Sequence, residues 1–445
     1  MPDAKEYTQA PPAHVYHAQN WLQIVSAAAL AAPGPIIHLL DISGIAHVEM
    51  DPAIESLIFG LSILAAATLL VWASEVAEQL VSATLALAIL AIIAVLPEYA
   101  VDLYFSWTAG HEFADPSLLR EVIARGDTPA VELALANMTG ANRLLIGLAW
   151  PVVFGLFWLK TRKNDLVVGT PNSVGLLFLG AGTIYSFLIP LKGGLAIYDS
   201  AVLISLFVAY LILSSRTPPT EHELMGPARS IAALSSGWRW TAVVGIFVYA
   251  AVVVFASAEP FAQGLVDTGE SIGVDEFHLV QWVAPLASEA PEFILAAMLA
   301  VRGRAAAGMT LLISSKVNQW TLLVGSLPIA YSVAAGTFNA MPVEARQAHE
   351  VFLTAGQSLF AVAVLWSLSF HAREAILIFG LFVIQLAIPI DEVRVAFGFM
   401  YIALALAWLF YERRELPVLF RQARATVSGG EVAASSGQTE PGPDP

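Results

Sequence analysis

The sequence predicts an all-α polytopic membrane protein of about 12 transmembrane helices (range 10–12), arranged as two inverted-topology repeats. Three observations predict it. Of 445 residues, 57% are hydrophobic and only 13% charged, about half the charge of a soluble domain. Apolar runs long enough to cross a bilayer recur along the chain, and polar landmarks inside them occur twice in the same order. So little charge could not cover a soluble globule. The 36 acidic residues against 21 basic ones argue against nucleic-acid partners, which reward a basic face. With no cysteine, disulfides and thiolate metal sites are excluded.

A helix crosses the hydrocarbon core with roughly 20 apolar residues. Residues 1–20 are polar, with no basic region leading into a short apolar core, so no signal peptide is expected. The first half, 21–213, holds expected spans near 21–42, 56–74, 80–107, 144–159, 174–191 and 196–213. Within it, 108–131 reads as the longest polar loop. A polar linker, 214–238, leads to the second half, 239–411, with spans near 239–258, 279–301, 305–333, 351–370, 375–390 and 394–411. The tail, 412–445, is expected to be largely disordered. With the N-terminus inside, fourteen Lys and Arg fall in the inner set, against Arg120, Arg125, Arg143, Lys192, Arg346 and Arg394 outside. That bias predicts a cell-membrane protein with both termini cytoplasmic.

The repeat rests on three pairs of landmarks. Glu75 with Gln79, after one span, matches Glu259 with Gln263 after another. Pro97-Glu98-Tyr99 matches Pro291-Glu292-Phe293. Asn142, followed by Gly147 and Pro151, matches Asn318, followed by Gly325 and Pro328. The repeat motifs occupy about 75–151 and 258–328, in oppositely oriented spans. Interrupted helices of inverted repeats meeting at midplane build the binding sites of many secondary transporters.

Five charges lie deep in the expected spans: Glu98, Asp102, Glu289, Glu292 and Lys316. Each costs a few kcal/mol there and needs a partner, a cavity or an ion. Proline before each repeated glutamate is expected to break the helix and free carbonyls for a cation. Glu289 and Glu292 lie three residues apart on one helix face, and Glu98 and Asp102 four apart. Paired carboxylates in low dielectric favour capture of a proton or cation. Lys316 is a built-in counter-ion or a titrating competitor of the cation. Asn142 and Asn318 line the path or pack helices.

Other chemistry is sparse. No Gly-Lys dipeptide occurs, hence no Walker A loop and no nucleotide partner. Zinc-spaced histidines are missing too; His278 and His371 border spans and read as interfacial. The one G-x-S-x-G match, Gly269 to Gly273, falls in an expected polar loop, away from the strand and helix that a nucleophile elbow needs. Neither a cofactor nor an enzyme is expected.

The repeated Pro-Glu and Asn landmarks resemble the sodium/calcium exchanger family, within the calcium/cation antiporter superfamily. That family carries G-T-S-x-P-E and G-N-x-x-G-S-N-x-x-N stretches in two inverted repeats. The resemblance implies ten core helices, alternating access and cation antiport, with Glu98 and Glu292 as the cation (metal) ligands. Ile93-Ala94-Val95 replaces Gly-Thr-Ser in the first motif, and Ala287-Ser288-Glu289 stands there in the second copy. The later motif keeps Asn137, Gly140 and Asn142, while its second copy has Ile313, Lys316 and Val317 before Asn318. These changes remove oxygens that a calcium site of six to eight ligands would use. The expectation is therefore monovalent-cation/proton exchange, with Glu98, Glu292, Glu289, Ser288, Asn142, Asn318, Asp102 and Lys316 at the site. The alternatives are calcium/cation exchange of the parent type and a non-transporting sensor or scaffold that keeps the fold. Small inorganic cations and the bilayer are the expected partners.

Overall fold

The computed structural model describes residues 13–45, 50–77, 80, 96–125, 128–170, 172–215, 224, 226–273, 276–388, 390–413 and 416–428. The chain opens with α1 (Ala13–Ala31) and α2 (Pro33–Ile42), which part where Pro33 starts a fresh helix. The Gly34 amide donates to Ser62 Oγ at 3.0 Å, which anchors α2 on α3 (Pro52–Ala77). Next come α4 (Leu96–Ala114), α5 (Pro116–Arg125), α6 (Ala130–Leu133) and α7 (Ala136–Leu144). A π turn (Leu145–Ala149) joins α7 to α8 (Trp150–Thr161). The half ends with β1 (Asp165–Val167), α9 (Asn172–Ser186), α10 (Leu188–Lys192), β2 (Gly194–Leu195) and α11 (Ile197–Ser214).

Within the linker lies α12 (Pro227–Ala232), then α13 (Ser236–Ile272), α14 (Glu276–Val301) and α15 (Ala305–Asn318). A second π turn (Gln319–Leu323) joins α15 to α16 (Val324–Ala335). The remaining elements are β3 (Met341–Pro342), α17 (Ala345–Val364), β4 (Ser369–His371), α18 (Ala372–Ala387), α19 (Asp391–Tyr411) and α20 (Leu416–Ser428). Each half thus repeats one order: a long helix, a carboxylate-bearing helix, and a helix interrupted by a π turn. Eight described helices are long and apolar enough to cross a membrane. Of the other expected spans, 80–107 is described as helix only from Leu96, and residues 81–95 lie outside the described set. The spans 279–301, 305–333 and 375–390 fall on α14, on α15 to α16, and on α18.

The halves pack crosswise: α3 lies on α13, α4 on α16, and α14 on α7 and α8. Gly140 permits the last contact, because an added Cβ would overlap the Gln281 carbonyl oxygen. Two short antiparallel pairs tie the halves at opposite ends of α9 and α10. In one, β1 pairs β4 with Leu166 opposite Phe370; in the other, β2 pairs β3 with Leu195 opposite Met341.

Several expectations are corrected. The loop 108–131 is largely helical: Asp115 Oδ1 accepts the Ser117 amide at 2.9 Å and caps α5. The span near 144–159 extends back to Ala130, since its polar residues are buried inside the protein and do not end the helix. At Pro291 the helix is unbroken, because a single lost backbone bond leaves α14 continuous from Glu276 to Val301. The interruptions are the two π turns instead. Gly269 to Ile272 belong to the last turn of α13, which Gly273 ends at φ 67°. The tail contains α20, with Leu419 and Ala423 buried.

Candidate functional site

The four deep carboxylates come from two helices. Glu98 and Asp102 project one turn apart from α4, and Glu289 and Glu292 one turn apart from α14. All four are buried, with 0 to 5% exposure. Glu289 lies within electrostatic reach of Glu98, Glu292 and Lys316. Its Oε1 accepts from the Gln319 amide, at the start of the second π turn. Such π turns recur at functional sites because they re-aim side chains along an otherwise regular helix. Glu292 faces the Ser315 hydroxyl. Among the described residues, Glu289 Oε2 and Glu292 Oε2 have no hydrogen-bond partner, which is costly for buried carboxylate oxygens.

Lys316 is fully buried and reaches from α15 into the other half. Its ammonium donates to Asn142 Oδ1 at 2.7 Å and to the Asn142 carbonyl at 3.0 Å. The same group sits 5.2 Å from the Trp320 ring centre, a favourable cation–π placement. Asn142 Nδ2 in turn donates to the Met138 carbonyl at 2.8 Å. Across the repeat, Tyr99 donates its hydroxyl to Asn318 Oδ1 at 3.3 Å. Asp102 faces the Asn137 side chain and the Met138 backbone. Each half therefore hands a polar side chain to the matched asparagine of the other.

Glu98, Glu289, Glu292, Lys316, Asn142, Asn318 and Asp102 thus all lie on α4, α7, α14 and α15, the helices that meet at the crossing of the halves. The Ser288 side chain and Ile93-Ala94-Val95 lie outside the described residues. Among the described residues, no group of three or more His, Cys, Asp or Glu side chains is arranged to hold a metal ion. A cavity of about 480 Å³ approaches α14 from one end. It is lined by Thr68, Trp72 and Glu75 of α3, Ile294 and Met298 of α14, Arg302 just beyond that helix, and residues of α1 and α12. Ile294 is only two residues from Glu292.

Sequence reasoning missed further buried charge. Arg143 and Arg394, assigned above to outer loops, are 2% and 5% exposed, and Glu350 is fully buried between them. His278, read as interfacial, contacts Arg346 and Arg394. A signal existed: Gln347, Glu350, Thr354 and Gln357 form one polar stripe along the apolar α17, and all are buried. In a membrane such a stripe has to face protein. Gln319 was legible as the neighbour of Asn318, but the contact with Glu289 depends on the π turn.

A model of the sodium/calcium exchanger protein family matches residues 54–216 and 242–390. No curated protein matches the chain. Among solved structures, the H+/Ca2+ exchanger CAX is 39% identical, with a TM-score of 0.84 over 93% of this chain and 99% of that one. YfkE in its native form is 15% identical, with a TM-score of 0.53 over 85% of this chain and 99% of that one, a likeness of fold. The sodium-calcium exchanger NCX_Mj is 19% identical over 76% of this chain and 99% of that one, with a TM-score of 0.49. The chain is a multi-pass membrane protein and belongs to the sodium/calcium exchanger family.

Proposed function

We propose that the protein is a secondary antiporter that exchanges a small inorganic cation for protons by alternating access. The observation that carries this reading is the buried meeting of carboxylates from both halves, Glu98 with Glu289 and Glu292, beside one tethered ammonium. Carboxylates at such range repel when both are charged, and either a proton or a cation relieves the repulsion. The two loads therefore compete for one place, which is the requirement for obligatory exchange. Glu98 and Glu292 bind the cation or proton, and Glu289, Asp102, Asn142, Asn318 and Ser288 supply further contacts. Two halves of one design, joined by the 214–238 linker, rock about the shared site. Both termini are cytoplasmic in the cell membrane.

Calcium is the first choice of cation, supported by whole-length likeness to a protein solved as an H+/Ca2+ exchanger. A monovalent cation is the second choice, favoured by Lys316. Its ammonium already occupies the Asn142 oxygens, so fewer oxygens are left than calcium's usual six to eight. Flux into reconstituted vesicles, with lithium, sodium, potassium and calcium offered singly against a trapped pH dye, tests the reading. Proton movement with at least one cation, lost in both Glu98→Gln and Glu292→Gln, is the expected result. Full activity in both variants overturns the site, and a wild type that moves none of the four supports a non-transporting scaffold.

A further inference from the structure

A second buried charge network touches none of the groups assigned to the cation. Glu350 of α17 is fully buried and takes two guanidinium groups. Arg143 Nη2 lies 2.5 Å from its Oε2 and Arg394 Nε 3.0 Å from its Oε1. The Arg394 fork continues, with Nη2 at 2.8 Å from His278 Nε2, while Arg346 Nη2 stands 3.2 Å from His278 Nδ1. Arg143 also stacks 4.8 Å from the Trp282 ring centre, and Arg346 lies 4.0 Å from that of Phe277. The chain of contacts therefore runs from α7, through α17 and α19, to the first turn of α14.

Those two end points matter. Arg143 directly follows Asn142, which holds Lys316, and Arg143 itself lies within electrostatic reach of Lys316. His278 begins the helix that presents Glu289 and Glu292 three to four turns later. Arg394 lies beyond residue 390, where the family match ends, so a helix outside the matched region is recruited to the contact. Each arginine meets Glu350 through one nitrogen, and such charged contacts between buried groups fix geometry more strictly than apolar packing.

We propose that Glu350 is a positioning residue for exchange: through Arg143 on one side and Arg394 with His278 on the other, it sets how far the Asn142–Lys316 pair stands from Glu289 and Glu292. The cation's affinity then depends on Glu350 although Glu350 never touches the cation. This rests on the antiport reading above. Partners that orient ligand groups in this way are worth about 10- to 100-fold in ion affinity.

The test titrates calcium, and separately sodium, against proton movement in vesicles holding the full chain. Glu350→Gln is expected to raise the half-saturating cation concentration about tenfold or more, with the maximal rate largely kept. Arg394→Lys, which keeps a charge for Glu350 but loses the fork to His278, is expected to raise it less. The double variant should be no worse than Glu350→Gln alone, because both act through one chain of contacts. An unchanged half-saturation with a reduced rate in Glu350→Gln, or additive shifts in the double variant, overturns the proposal. If Glu350→Gln does not fold, Arg394→Lys and His278→Gln decide: a raised half-saturation supports the clamp, and unchanged values in both overturn it. A wild type that moves neither ion removes the antiport reading and this inference with it.

Discussion

The two halves carry the same three helices yet diverge two residues before the matched asparagine. In the first half that position is Gly140, and its bare backbone lets α7 press against the Gln281 carbonyl of α14. In the second half it is Lys316, whose side chain crosses to the first half and binds Asn142 by two hydrogen bonds. Duplication thus provides the frame, and one broken match provides a fixed positive charge among four carboxylates. An exact two-fold repeat would have placed acid opposite acid, with no internal cation to offset it.

Four measurements break or sharpen this comparison. The largest effect is expected where the halves agree: Glu98→Gln and Glu292→Gln each abolish exchange in the vesicle flux assay. Retention of flux in just one of them breaks the equivalence of the two glutamates. Next, Lys316→Met removes charge-assisted hydrogen bonds and is expected to lower stability by roughly 1.5–3 kcal/mol, read as a lower Tm in detergent. It should also alter the number of protons moved per cation, since the competing ammonium is gone.

Gly140→Ala is expected to lower stability by about 1–3 kcal/mol through overpacking. The control is Gly155→Ala, where an added Cβ meets nothing within 4 Å and Tm should hold or rise. Equal losses at the two glycines would remove the close approach as the reason for Gly140. The smallest expected contrast lies between the asparagines. Asn142→Ala takes one of two hydrogen bonds from a buried ammonium and should cost about 1.5–3 kcal/mol, whereas Asn318→Ala loses the neutral bond from Tyr99, worth about 0.5–1.5 kcal/mol. Thermal melts that rank Asn318 first would reverse the asymmetry.

Much of the frame was legible from composition and repetition. Helix positions followed the apolar runs, because unpaired backbone groups cannot be left in a bilayer. Glu98, Glu292 and Lys316 were legible as candidates because a charge in an apolar run demands an explanation. Arg143, Glu350 and Arg394 were not. Each sits at the edge of an apolar run, where one dimension cannot tell a loop charge from a buried one. The second Pro-Glu pair misled in a different way, while residues 81–95, just before the first pair, lie outside the described set. Proline weakens a helix locally, but α14 runs on through Pro291, and the interruptions are the π turns after Asn142 and Asn318.

By itself the sequence determined that this chain lives in a membrane, that it is built twice, and which carboxylates the two copies contribute. Those properties follow from local composition and spacing, which solvent and helical geometry read directly. Only the tertiary structure decided that Lys316 answers to Asn142, that Gln319 serves Glu289, and that Glu350 joins two arginines far apart in the chain. Such pairings depend on which helices cross. Buried charges choose partners by distance in space, and in a low-dielectric interior that choice carries the energy.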